Sequence, residues 1–114
     1  MKYSVIIPVY DEKGNLELLH EKLSQALASL RGDSEIIYVD DGSKDGSFAD
    51  LKALAGRDKR VHVLRFARNF GKSAAMSAGF EISKGEIIIN LDADLQDDPA
   101  EIPKMIEKIE AKKT

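Results

Sequence analysis

The sequence predicts an α/β fold of the Rossmann-like, doubly wound type, with a mainly parallel four-stranded sheet flanked by helices. Four short β-like runs alternate with four helical segments along the 114 residues, which is the order of a parallel sheet covered on both faces. The β-like runs are nearly continuous in Val, Ile and Leu, as strands buried on both faces should be. A chain of this length can bury roughly 65% of the surface that its unfolded form exposes. We therefore expect a single domain over residues 1–114.

The strands are predicted from the apolar runs. They are Tyr3–Val9, Glu35–Val39, Val61–Phe66 and Glu86–Leu91. In doubly wound sheets, ligands bind beyond the carboxyl ends of the strands, where the winding direction reverses. The loops that follow the four runs are therefore the places where we expect functional residues.

The helices are predicted from apolar residues at three- and four-residue spacing. The first two stripes are Leu16, Leu19, Leu23, Leu27 and Leu30, and Phe48, Leu51 and Ala55. The last two are Ala74, Ala75, Ala78 and Ile82, and Met105, Ile106 and Ile109. Gly32, Gly56 and Gly85 are expected to end the first three helices. Asp98 and Pro99 predict the start of the fourth, because a carboxylate caps free N–H groups and proline fits a first turn.

Composition excludes several kinds of site. The absence of cysteine removes a disulfide framework, a thiolate zinc site and a cysteine nucleophile. Apolar runs such as Val5–Ile7 are far shorter than the ~20 residues that span a bilayer, so a cytoplasmic protein is the default expectation. The net charge of −3 is mild, but acidic side chains crowd residues 92–101. This indicates a local cation partner rather than nucleic acid.

The loop after the fourth run is a candidate metal site. Asp92, Asp94 and Gln96 are spaced by two, so they would point to one side of an extended segment. Two carboxylates and an amide oxygen suit Mg²⁺ or Mn²⁺, which keep open positions for water and substrate phosphates. Ala93 is small enough to let a ligand approach closely. An acidic loop that only caps the next helix is the alternative.

The first two loops hold candidate nucleotide ligands. Pro8, Tyr10 and Glu12 combine a rigid proline, an aromatic face and an acid, which suits a stacked and hydrogen-bonded nucleobase. Asp40 and Asp41 lie one at the end of a strand and one just beyond it, where a carboxylate can accept from a base or a ribose. Solvent-exposed loop acids and helix caps are the alternatives.

The third loop holds candidate phosphate ligands. Arg65, Arg68 and Lys72 lie beside the onset of a helix, whose free N–H groups also favour anions. A solvated basic face is the alternative. Gly71–Ser73 resembles the end of a P-loop, but that motif needs glycine where Phe66 stands, so a P-loop is excluded.

Together, the four loops resemble those of the inverting family 2 glycosyltransferases, which have the GT-A fold. The matching motifs are Val5-Ile6-Ile7-Pro8-Val9-Tyr10 with Glu12 and Asn15, Val39-Asp40-Asp41-Gly42-Ser43-Lys44-Asp45, Arg68-Asn69-Phe70-Gly71-Lys72, and Leu91-Asp92-Ala93-Asp94-Leu95-Gln96-Asp97. The last two are similar to those of the polyprenyl-phosphate branch, typified by dolichol-phosphate mannose synthase. One departure is Asp98 before Pro99, where the family commonly has two prolines.

The resemblance implies transfer of a sugar from a UDP- or GDP-linked donor to an acceptor, here a polyprenyl phosphate, with Mn²⁺ or Mg²⁺. The implied nucleotide-binding residues are Pro8, Tyr10, Glu12, Asp40, Asp41, Lys72, Asp92 and Ala93. The implied phosphate ligands are Arg68 and Lys72. The implied metal ligands are Asp92, Asp94 and Gln96, and Asp94 is the candidate catalytic residue.

The resemblance also implies that this is the N-terminal, donor-binding part of a longer enzyme. The acceptor-binding part and any membrane helices are expected beyond Thr114, with the full-length enzyme at the cytoplasmic face of a membrane. A homo-oligomer is possible, because apolar surface that the remainder covers would favour self-association. An isolated nucleotide-binding or self-associating fragment therefore stays open as the alternative function.

Two other classes fit less well. Sugar-phosphate nucleotidyltransferases share the α/β outline, but they usually open with a glycine-rich loop after the first strand, and Tyr10–Gly14 is not one. Receiver-like signalling domains also place acids beside a metal. Their phosphorylated aspartate is missing here, because the third run ends in Arg65 and Phe66.

Overall fold

The computed structural model describes residues 1–112. Within these residues, the strands are β1 Tyr3–Val9, β2 Ser34–Asp40, β3 Val61–Arg65 and β4 Ile87–Asn90. All four are parallel and form one sheet in the order β3-β2-β1-β4. The helices are α1 Leu16–Ala28, α2 Ser47–Arg57, α3 Lys72–Ile82 and α4 Ile102–Lys112, with a 3-10 turn over Pro99–Glu101. The predicted alternation and the parallel sheet are confirmed.

The two faces of the sheet carry different layers, because side chains alternate along each strand. On one face, Val5 and Ile7 of β1 pack in a core with the leucines of α1, with α2 and with α4. On the other face, Ile6 and its neighbours in β2 pack against Ala75 of α3. Helices on both faces are thus confirmed. Among residues 1–112, none of the helices combines the length and the apolar character that crossing a bilayer requires.

The glycines do not end the helices as predicted. Gly56 lies inside α2, and Gly32 and Gly85 lie beyond the ends of α1 and α3 without a left-handed backbone. The predicted cap before the fourth helix is present, because Asp98 Oδ1 accepts a hydrogen bond from the Ala100 N–H at 3.0 Å. A 3-10 turn then precedes the regular helix.

The buried faces of the last two helices also differ from the predicted stripes. Ala75 and Gly79 are the buried residues of α3, whereas Ile82 is exposed. Ile102 and Ile106 are the buried residues of α4, and the rest of its predicted stripe is exposed. In each helix the buried pair is spaced by four, so both side chains lie on one face. The small pair on α3 allows that helix to pack close to the sheet.

Candidate functional site

A cleft of about 500 Å³ opens at the carboxyl ends of β1, β2 and β4. Its lining residues are Pro8, Val9, Tyr10, Glu12, Asp41, Asn69, Gly71, Lys72, Asp92, Ala93 and Asp94. We call it the acidic cleft, because four of these residues are aspartate or glutamate. The winding of the sheet reverses between β1 and β4, which is where ligands bind in open α/β sheets.

The loop after β1 is fixed by the loop after β2. The backbone N–H groups of residues 11, 12 and 13 donate hydrogen bonds to Ser43 Oγ, Ser47 Oγ and Asp45 Oδ2, at 2.9, 3.0 and 3.0 Å. Glu12 also accepts from Asn15 Nδ2 at 2.8 Å. These bonds leave the ring of Tyr10 as an exposed wall of the cleft, 46% accessible to solvent.

Asp41 holds the loop that leads into α3. Its carboxylate accepts hydrogen bonds from the N–H groups of Phe70 and Gly71, at 2.7 and 3.0 Å, and from Asn69 Nδ2 at 3.0 Å. The residue is only 3% exposed, so its carboxylate oxygens are largely occupied by the protein. Asp41 therefore positions the wall of the cleft.

Asp40 lies behind the cleft and does not line it. Its side chain is fully buried, and its Oδ1 accepts from the Ser43 N–H at 3.0 Å. Its Oδ2 has no hydrogen-bond donor within the described part of the chain. Of the two adjacent aspartates, only Asp41 reaches the cleft.

An ion pair between Lys72 and Asp92 crosses the cleft. The hydrogen bond that the Lys72 ammonium donates to Asp92 raises the pKa of Lys72, and the charges of Asp92, Asp97 and Asp94 add to this effect. Lys72 is the first residue of α3, so its charge lies beside the free N–H groups at that helix start. The cleft thus combines one cation with several acids.

The loop after β4 is bent, contrary to the extended segment that the sequence predicts. The chain turns at residues 93–94, and Leu95 has a left-handed φ of 65°. Asp94 Oδ1 accepts the Gln96 N–H at 3.1 Å, and the Gln96 side chain lies outside the cleft lining. The extended backbone on which the prediction of Gln96 as a third metal ligand depends is therefore absent.

The carboxylates of Asp92 and Asp94 fit a divalent cation that is also coordinated by a bound substrate. Asp92 and Asp94 line the same cleft, and Mg²⁺ is commonly bound by one or two carboxylates plus substrate phosphates. No group of three or more His, Cys, Asp or Glu residues that could hold a metal occurs among residues 1–112. A metal here would need oxygen ligands from a bound phosphate or from water.

Most of the predicted site residues meet in the acidic cleft. Those that line it are Pro8, Tyr10, Glu12, Asp41, Lys72, Asp92, Ala93 and Asp94. Asp40, Arg68 and Gln96 do not line it. Val9, Asn69 and Gly71 line it without having been predicted, although Asn69 and Gly71 stand inside a motif beside predicted residues. That proximity in the sequence was the available signal.

Solved structures share this fold. One is S. aureus TarS 1–349 in complex with UDP-GlcNAc, with a TM-score of 0.72 and 24% identity over 95% of this chain and 30% of that chain. Another is the mannosyltransferase PcManGT from Pyrobaculum calidifontis in complex with GDP-Man and Mn²⁺, with a TM-score of 0.65 and 24% identity over 82% of this chain and 27% of that chain. The fold is therefore that of the GT-A glycosyltransferases.

Sequence comparison identifies the family. The chain belongs to glycosyl transferase family 2, whose family model matches residues 4–114. It is 47% identical over 106 residues to an undecaprenyl-phosphate 4-deoxy-4-formamido-L-arabinose transferase of Pseudomonas paraeruginosa, covering 92% of this chain and 31% of that protein. It is 46% identical over 93 residues to the putative glycosyltransferase CsbB of Bacillus subtilis, covering 82% and 28%. The chain thus spans about a third of the length of these relatives, and the resemblance to family 2 is confirmed.

Proposed function

We propose that this chain is the donor-binding part of an enzyme that transfers a sugar, with inversion, from a nucleoside diphosphate to a polyprenyl phosphate. The observation that carries the proposal is the acidic cleft, which joins an exposed aromatic wall at Tyr10 to Asp92, Asp94 and Lys72. An aromatic face suits a nucleobase, and the charged end suits a metal-bound diphosphate. Relatives named as undecaprenyl-phosphate transferases support the lipid phosphate as acceptor.

The nucleoside lies at the Tyr10 end of the cleft. Tyr10 stacks on the base, and Pro8 and Glu12 line the same end. Asp41 acts mainly through the 69–71 loop, because its carboxylate already accepts three protein donors. Asp41 therefore affects nucleotide binding indirectly, because its hydrogen bonds position the loop that forms one wall of the cleft.

The diphosphate lies at the Lys72 end. Asp92 and Asp94 would hold Mn²⁺ or Mg²⁺, and the metal, when bound, would supply Lewis-acid stabilisation of the leaving nucleoside diphosphate. Lys72, which forms an ion pair with Asp92 at this end of the cleft, would bind a phosphate oxygen of the donor.

The transfer forms a bond from an acceptor phosphate oxygen to the anomeric carbon and breaks the bond from that carbon to the diphosphate oxygen. The nucleoside diphosphate leaves with the bonding electrons, and attack from the opposite face inverts the configuration. A phosphate acceptor is already anionic, so this attack needs no general base to remove a proton. The residues of this chain contribute by orienting the donor and by stabilising the charge of the leaving group. We place the full-length enzyme at the cytoplasmic face of a membrane, where a lipid acceptor is presented.

Isothermal titration calorimetry tests the donor site. The chain is titrated with UDP and with GDP, each with and without Mn²⁺. We expect one nucleotide to bind in a Mn²⁺-dependent manner and Asp94→Ala to weaken that binding by at least about tenfold, since a charge-assisted contact contributes about 1.5–3 kcal/mol. The matched control is Asp33→Ala, which removes an exposed carboxylate just before β2, at the opposite end of the sheet.

The two variants separate the possible outcomes. Loss of binding in Asp94→Ala with retention in Asp33→Ala supports the assigned cleft and identifies the base. Equal binding by the wild type and Asp94→Ala contradicts the metal assignment. Failure of both nucleotides to bind contradicts a preformed donor site in this chain.

A self-associating fragment is the second candidate function. The observation that favours it is apolar exposure on the α3 side, where Phe80 is 63% and Ile82 is 41% exposed. Association of two chains would bury these exposed side chains. Failure of both nucleotides to bind would favour this candidate over the donor-binding role.

A further inference from the structure

A second cleft adjoins the acidic cleft on the far side of Tyr10. It has a volume of about 460 Å³ and lies between the loop after β2 and the segment that ends β3. Its lining residues are Tyr10, Gly42, Ser43, Lys44, Arg65, Phe66, Ala67, Arg68 and Asn69. Tyr10 and Asn69 line both clefts and form the wall between them. We call this second space the basic cleft.

The basic cleft has the opposite charge to its neighbour. Lys44, Arg65 and Arg68 line it, and no aspartate or glutamate of the described chain does so. None of these three cations forms an ion pair with any described residue. Lys72, by contrast, is paired with Asp92 in the acidic cleft. Three unpaired cations around one concave space favour an anionic ligand.

Both arginines are held in place by aromatic rings. The guanidinium carbon of Arg65 lies 4.1 Å from the ring centroid of Phe48, and that of Arg68 lies 4.7 Å from the ring centroid of Phe70. Phe70 is itself supported by an edge-on contact with Phe66, with the centroids 5.6 Å apart. A guanidinium stacked on a ring keeps the N–H donors in its plane free, and those donors match phosphate geometry. The arginines are therefore pre-organised donors.

We propose that the basic cleft is a second anion site, which binds a phosphate group independently of the donor cleft. This assigns Arg68 to a site of its own, although the sequence motif groups it with Lys72 at the donor phosphates. The ligand is a phosphate ester, supplied either by a soluble phosphorylated compound or by an anionic lipid headgroup. The site does not depend on the proposed transfer reaction, because none of its three cations lines the acidic cleft.

The first test uses inorganic phosphate as the probe, followed by backbone amide chemical shifts, with chloride at equal ionic strength as the reference. We expect saturable shifts at residues 42–44 and 65–69. Arg65→Gln and Arg68→Gln should each weaken phosphate binding by about tenfold, as expected for loss of a charge-assisted contact. Arg31→Gln, which removes an exposed cation in the loop before β2, should not change it. Lys72→Gln should also leave it unchanged if the site is separate from the acidic cleft.

The second arm distinguishes the sources of the phosphate. The chain is sedimented with phosphatidylcholine vesicles that contain or lack phosphatidic acid. Co-sedimentation that requires phosphatidic acid, and that is lost in the Arg65→Gln/Arg68→Gln double variant but kept in Arg31→Gln, identifies a lipid headgroup. Saturable binding of inorganic phosphate without co-sedimentation identifies a soluble phosphate compound.

Two results would overturn the proposal. One is the absence of saturable shifts at the basic cleft together with equal sedimentation of all variants, which would leave the arginines as a solvated face. The other is loss of phosphate binding in Lys72→Gln, which would place the anion in the acidic cleft. Circular dichroism of each variant, and retention of phosphate binding by Arg68→Lys at reduced affinity, exclude misfolding as the cause of a loss.

Discussion

Asp40 and Asp41 are adjacent in the chain, but their carboxylates have different surroundings. Asp41 accepts three hydrogen bonds from the loop at residues 69–71. Asp40 accepts one, from Ser43, and its other oxygen has no donor among residues 1–112. The sequence could predict that one residue ends the strand and the other follows it. It could not predict which carboxylate the protein itself occupies, because the donors to Asp41 come from the next βα unit.

This difference predicts unequal effects of the two isosteric substitutions. Asp41→Asn replaces one accepting oxygen with an NH₂ group that faces N–H donors, so we expect the free energy of unfolding to fall by about 2 kcal/mol. Asp40→Asn keeps an acceptor for Ser43 and removes a buried charge, so we expect a change below about 1 kcal/mol. Urea denaturation at neutral pH measures both values. Equal losses would contradict the assignment of Asp41 as the residue that holds the loop.

The spacing of Asp92, Asp94 and Gln96 does not by itself place the three side chains on one side of the loop. A period of two applies only while the backbone stays extended, and Leu95 is left-handed. Asp92 and Asp94 still line the same cleft because the turn between them is tight. That the two carboxylates share a cleft could thus be predicted from the motif, whereas the position of Gln96 depends on a backbone angle that the sequence pattern does not reveal.

At the scale of the elements, strands were easier to predict than helix ends. Each predicted strand agrees with the structure to within one residue at either end. This is because nearly continuous runs of Val and Ile are typical of strands that are buried on both faces. The helix ends were assigned to glycines, and those assignments were wrong. Gly56 continues α2, whereas Gly42 in the β2–α2 loop has a left-handed φ of 76°.

Gly42 and Gly56 therefore predict opposite responses to alanine. Gly42→Ala would place a Cβ against the backbone of Arg68 and Asn69 in a left-handed conformation, so we expect a loss of at least about 2 kcal/mol in the free energy of unfolding. Gly56→Ala adds a methyl group in open space within a helix, so we expect a gain of about 0.5–1 kcal/mol. Thermal and urea unfolding of the two variants check the signs. A stable Gly42→Ala protein would contradict the close packing of the two loops.

At the scale of the whole molecule, strand order decides which loops meet. The alternation of elements predicts a parallel sheet, and this was correct. The order β3-β2-β1-β4 was not predicted in detail, so the division into two clefts was not anticipated. Arg68 and Lys72 show that residues of one sequence motif do not always line the same cleft. They lie four positions apart in one motif, yet they line different clefts, because the intervening loop is bound to Asp41.

A polar network links helix α1 to the sheet, and no pattern in the sequence predicts it. His20 of α1 contacts Tyr38 Oη of β2 through Nδ1 at 2.7 Å and Asp58 through Nε2 at 2.9 Å. Arg60 donates to Asp58 at 2.8 Å and to Ser24 at 3.1 Å. These partners are distant in the sequence, so their contact depends on the completed fold. The network links α1, β2 and the turn before β3.

This network predicts a loss of stability in acid. The hydrogen bond from Arg60 is the main cause that lowers the pKa of Asp58, aided by the bond from His20, although partial burial opposes the shift. The unfolded chain, with an Asp pKa near 3.9, therefore binds a proton at higher pH than the folded chain does. The stabilisation is present above that value and is lost as the pH falls from about 5 toward 2.

Urea denaturation across this range should show a shallower decline in the free energy of unfolding for Asp58→Asn than for the wild type. Asp33→Asn, an exposed carboxyl group without an ion pair among the described residues, should follow the wild type. Identical slopes for all three proteins would mean that Asp58 does not contribute to acid sensitivity.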